Sequence, residues 1–300
     1  MIGDRIDSAA AHKTIARRFF EEFDRRNFDG ISALLAPGEV AHLPGAPQPL
    51  DWPARRHFVA AFVSAFPDCH HVIEDQIAGG DDVVSRVTLH GTHQGELMGI
   101  PATGRTVAIG GISWFRMANG RIAEEWNEFD RLGMLVQLGV AGAPPPGGEL
   151  RTPEPDRREQ LPRAADPRAV VGRWFERVDR GGVPDVQQYV VDGYTDHNPP
   201  PVQGLAPGAT GLRQVFAFAL TAFSEFHHEI AASIAQGDKV ASRVKGFGKH
   251  TGDFLGIPAT GKDVTMTGIT IHRVTGGKLS EHWAQIDAVS LLHQVGAMPG

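Results

Sequence analysis

Gly99-Ile100-Pro101-Ala102-Thr103-Gly104 recurs letter for letter as Gly256-Ile257-Pro258-Ala259-Thr260-Gly261. The similarity extends outward from this string. Arg86 to Gly139 aligns with Arg243 to Gly296 without a gap, at a constant offset of 157 (243 − 86). Further upstream Phe20 matches Phe175, Asp24 matches Asp179 and His42 matches His197, at an offset of 155 (175 − 20), so a two-residue insertion precedes Gly211. Such a period is far longer than a solenoid repeat and means two whole domains in tandem. Residues 10–142 are assigned to the first and 168–298 to the second. Between them, 143–167 hold Pro144-Pro145-Pro146, Pro153, Pro155, Pro162 and Gly147-Gly148, the composition of a linker that is stiff where proline dominates.

Within each copy the periodicity changes from helical to alternating. Ile15, Phe19, Phe20 and Phe23 fall at helical spacing over 14–26, and a short second helix over 31–35 stops before Pro37 and Gly38. A brief strand over 40–43 and a helix over 54–66 follow. Strand-like runs at 71–77, 82–92, 106–117 and 121–130 come next, and a last helix over 132–138 ends at Gly139. Helices followed by a run of strands predict an α+β domain, with helices packed on one face of a curved antiparallel sheet. The hollow such a sheet leaves is a usual place for a ligand.

A chain of 300 residues is long enough for two cores, and its 41% hydrophobic and 21% charged residues are ordinary for a globular protein. A formal net charge of −6 without a dense basic tract argues against nucleic acid as a partner. One cysteine, Cys69, excludes an intrachain disulfide and a cysteine-based zinc site. Residues 1–13 lack the apolar run of a signal peptide, and no apolar stretch approaches the roughly 20 residues that span a bilayer. The expectation is a cytoplasmic protein without a membrane partner.

The segments Glu124-Glu125-Trp126-Asn127-Glu128-Phe129-Asp130 and Glu281-His282-Trp283-Ala284-Gln285-Ile286-Asp287 close the last strands. Strict alternation puts Leu279, Glu281, Trp283, Gln285 and Asp287 on one face, and that face is expected to line a pocket. His282 would then point away from it. Asp130 and Asp287 also precede a short helix, where aspartate is a favoured N-cap. His93 and His250 end a strand before the glycine-rich bend, either to polarise a ligand oxygen or to hold the bend. His42 and His197 open the first strand near the mouth of the fold. His272, where the first copy has Phe115, is a polar group of the second copy alone. Neighbouring pairs such as His70-His71 face opposite ways, and no metal-binding spacing occurs, so no metal is expected.

The string His-x-Gly-(x)3-Gly-Ile-Pro-x-Thr-Gly at 93–104 and 250–261, the Glu-x-Trp-(x)3-Asp segments and the Gln-x-Gly endings resemble the SnoaL-like polyketide cyclase (ester cyclase) family. Phe66-Pro67-Asp68 and Asp196-His197-Asn198-Pro199 are similar to its earlier landmarks. The resemblance implies two tandem nuclear transport factor 2-like cones and a reaction that uses neither metal nor cofactor. It implies acid/base closure of a ring in a small hydrophobic polyketide, or a related isomerisation. The alternatives are a hydrolase or dehydratase on the same fold, or a module that only binds a ligand or assembles. Under this reading Asp287, Asp130, His250 and His93 are the catalytic candidates, and Trp283, Trp126, Gln285, His197 and His42 bind substrate. The two copies are expected to pair as an intramolecular pseudo-dimer, with further homo-oligomerisation left open.

Overall fold

The computed structural model describes residues 2–141, 166–181, 186–200 and 204–298. Most of the expected linker lies outside these residues. The chain divides into two compact units, Met1–Gly142 and Ala143–Gly300. The first contains α1 (Ile2–Asp24), α2 (Phe28–Leu34), β1 (Leu35–His42), β2 (Leu50–Asp51), α3 (Trp52–Ala65), β3 (His70–Gly79), β4 (Asp82–Thr92), β5 (Thr106–Ala118), β6 (Arg121–Phe129) and α4 (Arg131–Leu138). The second contains α5 (Pro167–Asp179), β7 (Val190–Asp196), α6 (Gly208–Ala222), β8 (Phe223–Gln236), β9 (Lys239–His250), β10 (Asp263–Thr275), β11 (Lys278–Ile286) and α7 (Ala288–Gln294). Both units have the expected α+β form. α1 begins well before the expected 14–26 because Ala9, Ala10 and Ala11 are strong helix formers. Among the described residues no helix is long and apolar enough to cross a membrane.

The sheet orders are β2-β1-β6-β5-β4-β3 and β7-β11-β10-β9-β8. The expectation of a wholly antiparallel sheet is corrected at one edge, because β1 pairs parallel to β6 and β7 parallel to β11. Parallel neighbours need a long crossover rather than a hairpin. Here most of each domain, including a helix and three long strands, lies between the two paired strands in sequence.

Helices cover one face of each sheet. In the first unit Phe19 and Phe20 of α1 meet Phe115 of β5 at ring centroid distances of 5.3 and 5.8 Å. In the second, Phe175 of α5 meets His272 of β10 at 5.9 Å and His228 of β8 at 5.1 Å. The strict alternation expected of β6 and β11 fails at a bulge. The β5–β6 register shifts between Arg116 and Met117, and the β10–β11 register between Arg273 and Val274. One extra residue on the bulged strand turns the side chains beyond it to the other face. Ile122 and Leu279 therefore join the core beneath the helices, while Glu124, Trp126, Glu281 and Trp283 point the opposite way. Glu125 and His282 take the helix-covered face instead.

Candidate functional site

The tryptophan face is a clamp repeated in both units. His42 stacks on Trp126 (5.0 Å, 8° between rings), and the Arg116 guanidinium lies 4.9 Å from the same ring centre. Glu124 ties the layers together, with one oxygen 2.9 Å from His42 Nε2 and the other 3.1 Å from Arg116 Nη1. The second unit repeats this with His197 on Trp283 (4.4 Å, 3°) and Arg273 at 5.7 Å. Glu281 again bridges His197 (2.8 Å) and Arg273. Gln285 is buried on this same face, opposite Ile269. The residues expected to bind substrate are thus turned away from the helix-covered interior, and most of them are engaged with one another. Glu124→Ala and Glu281→Ala should each lower stability by about 1–2 kcal/mol, the usual scale for a charge-assisted hydrogen bond. Urea midpoints that do not move in either variant would contradict the clamp.

Asp130 and Asp287 are N-caps. Asp130 accepts a hydrogen bond from the Gly133 N–H (2.7 Å), and Asp287 accepts from the N–H (3.0 Å) and hydroxyl (2.6 Å) of Ser290. His93 and His250 are fully buried and hold the glycine-rich bend. His93 Nδ1 accepts from the Thr103 N–H (3.2 Å) and lies 3.1 Å from the Thr103 hydroxyl oxygen, so the ring proton is assigned to Nε2. His250 Nδ1 lies 3.0 Å from the Thr260 hydroxyl oxygen. Nε2 of each ring is buried without a hydrogen-bond partner. Phe66 and Phe223 lie beside the two rings at 5.1 and 5.4 Å.

The polar groups facing the helices were not singled out as a site by the sequence, and they differ between the units. In the first, Arg55 of α3 donates to Glu39 of β1 (2.8 Å) and to Glu125 of β6. The guanidinium lies over Phe19 (5.6 Å) and Trp52 (5.3 Å). All three ionisable side chains are 1–4% exposed. Beside them Asn127 donates to the Ser113 hydroxyl (2.7 Å). Burial pushes the Glu39 carboxyl up to about 7, against the opposing pull of Arg55, and burial likewise raises Glu125.

The second unit fills these places with other residues. Tyr194 and Asp196 stand where β1 has Glu39 and Ala41. Thr270, His272, His282 and Ala284 replace Ser113, Phe115, Glu125 and Asn127, and Leu212 of α6 replaces Arg55. His282 Nδ1 lies 3.2 Å from Asp196 Oδ1, and the rings of His272 and His282 are 4.7 Å apart. Asp196 also accepts from the Asn198 N–H (3.1 Å). The His282 and Asp196 side chains keep 19% and 17% exposure, so the pair opens to solvent, whereas His272 is buried behind it. His272 Nδ1, the Thr270 hydroxyl and His282 Nδ1 are buried without hydrogen-bond partners, so the 3.2 Å approach of His282 to Asp196 is a charge contact. The reason at Thr270 is visible in the pairing: its neighbour on β11 is Ala284, where Ser113 has Asn127. Burial holds His272 well below the usual imidazole range, with the neighbouring His282 adding to the effect. Burial keeps the Tyr194 hydroxyl protonated well above its ordinary range, with Asp196 contributing. Asp196 shows the reverse balance: burial would raise it, but the His282 contact and the Asn198 N–H together hold it below the usual carboxylate range.

These shifts give the units opposite pH responses. Glu39 binds its proton more tightly folded than unfolded, so its contribution to stability declines as pH rises from about 4.5 to about 7. His272 binds its proton less tightly folded, so its contribution is present above about 6.5 and is lost as pH falls below that. Hydrogen exchange at pH 5.5 and 8.0 should therefore show β1 and β6 better protected, and β10 and β11 less protected, at the lower pH. Parallel changes in both units would contradict this.

Alternation put His282 on the face opposite Leu279, and the bulge puts both on the helix-covered face. The gap-free repeat carried the missing signal, since it set Glu125 against His282 and Phe115 against His272. Among the described residues no group of three or more His, Cys, Asp or Glu side chains is placed to hold a metal ion.

A family model described as SnoaL-like polyketide cyclase matches residues 14–138 and 169–295. Aklanonic acid methyl ester cyclase DauD of Streptomyces sp. (strain C5) is 30% identical over 150 residues, which cover 48% of this chain and 91% of that protein. Aklanonic acid methyl ester cyclase DnrD of Streptomyces peucetius is 30% identical over 139 residues, covering 44% of this chain and 94% of its own. Among solved structures, IdmH, a polyketide cyclase homologue from Streptomyces antibioticus, is 31% identical with a TM-score of 0.41. That match covers 43% of this chain and 99% of IdmH.

Proposed function

Because the chain belongs to the SnoaL-like polyketide cyclase family, we propose that it closes a ring in a small hydrophobic, polyketide-like carbonyl compound by acid/base chemistry of its own side chains, with His282 as the base. The observation that carries this reading is the Asp196–His282 pair, partly open to solvent, in front of a buried neutral imidazole. A carboxylate 3.2 Å from Nδ1 favours the tautomer with its proton there and leaves Nε2 as the base. In an aldol closure Nε2 takes a proton from the carbon next to a carbonyl, and the C–H electron pair passes into the enolate. The enolate carbon bonds to a second carbonyl carbon, whose oxygen then recovers the proton from His282. Donors fixed in a water-poor site stabilise the oxyanions most effectively, and His272, Thr270 and Tyr194 are the donors at hand.

The experiment is conversion of aklanonic acid methyl ester, the compound in the names of both cyclase relatives, followed by product mass and chromatography. Asp287→Asn separates this reading from the assignment of the base to Asp287. Asparagine caps a helix about as well as aspartate, so the variant should keep its melting midpoint and its turnover within about twofold. A loss of 10²-fold or more, the scale of an acid/base group, would move the base to Asp287. Recovery of the ester unchanged would leave a site that only binds.

A further inference from the structure

The two units place different chemistry at matching positions of the helix-covered face, and the difference has one direction. In the first unit Arg55 bridges Glu39 and Glu125, although Glu39 Oε2 and Arg55 Nε stay buried without partners, and the Ser113 hydroxyl accepts from Asn127. Phe115 fills the remaining place against Phe19 and Phe20. The three ionisable side chains are almost wholly shielded from solvent. In the second unit each of these partnerships is dissolved. Leu212 removes the guanidinium, Ala284 removes the amide, and His272 replaces the phenyl ring. Thr270 Oγ1, His272 Nδ1 and His282 Nδ1 are buried without hydrogen-bond partners, and the His282 and Asp196 side chains are partly reached by solvent.

Buried polar groups without partners are costly and uncommon, and they call for an explanation. In the first unit such atoms belong to a triad sealed from solvent, whereas in the second they belong to a cluster with partly exposed side chains, where a ligand oxygen can meet them. Resting on the reading of the interior as the reacting site, we infer that the chain has one working site, in the second unit, and that the first unit's corresponding space is filled by its own Arg55. The ligand is a compound that presents a carbonyl or hydroxyl oxygen to Thr270 and His272. The first unit is a scaffold whose interior is closed by an ion triad.

The test is a titration of the full chain with aklanonic acid methyl ester. Calorimetry gives the stoichiometry, and imidazole nitrogen resonances on 15N-histidine-labelled protein give the location. The expected result is one equivalent per chain, with His272 and His282 shifted and His71 and His93 unmoved. His272→Phe, which installs the residue that the same backbone position carries as Phe115, should keep the fold and weaken binding by 10-fold or more. Two equivalents, or shifts at His71 and His93, would overturn the inference while leaving ring closure intact. One equivalent bound at His272 without conversion would instead defeat the ring-closure reading and leave this inference standing.

Discussion

His282→Asn should lower kcat for ring closure by about 10²–10⁴-fold, the range lost when a general base is removed. Asparagine is close to imidazole in reach and still offers an N–H to Asp196, so the edge between β7 and β11 should survive. The matching position already accommodates Glu125 in the first unit, which shows that this strand tolerates different polar groups. Because the base acts as the C–H bond breaks, kcat and kcat/KM should fall together and KM should change little. A variant whose KM rises while kcat holds would mean that His282 only binds. Asp196→Asn should also lower kcat, by a smaller factor, since it leaves the imidazole in place but frees its tautomer.

Arg55→Ala should destabilise the first unit by about 3–5 kcal/mol, the cost of leaving a buried ion pair without one partner. Glu39 and Glu125 would then face each other with no cation and almost no solvent. The loss should be larger at pH 8 than at pH 5.5, because below about 7 the Glu39 carboxyl takes up a proton. The second unit contains its own rescue for this defect. Arg55→Leu combined with Glu39→Tyr and Glu125→His installs the Leu212, Tyr194 and His282 solution and should recover most of the stability. Differential scanning calorimetry of the two variants checks both halves of the expectation. A single Arg55→Ala protein as stable as the parent would show that the triad contributes nothing to the fold.

The duplication, the order of helices and strands, and the Gly139 cap were legible because they rest on period and on glycine placement. Gly139 ends α4 at φ 75°, a left-handed conformation that favours glycine. The face assignment of the last strand was not legible. Alternation from Leu279 to Asp287 assumes an unbroken strand, and the extra residue in β11 opposite the Arg273–Val274 step leaves no mark in composition. Leu279 was consequently grouped with Trp283 and Gln285, whereas it shares the helix-covered face with His282. The parallel edge strand was hidden for a different reason, because β1 and β6 are joined only through long-range pairing. The ion triad was illegible for the same cause. Arg55, Glu39 and Glu125 come from three elements, and nothing local distinguishes them from exposed charges.

Proton exchange at the carbon next to the carbonyl of aklanonic acid methyl ester, followed by proton NMR in D2O, isolates the step assigned to His282. The account predicts that the wild-type protein speeds loss of that signal well above the buffer rate, that His282→Asn returns it to the buffer rate, and that Asp287→Asn and Arg55→Leu/Glu39→Tyr/Glu125→His leave it fast. Exchange that stays fast in His282→Asn, or that disappears in Asp287→Asn, would contradict it.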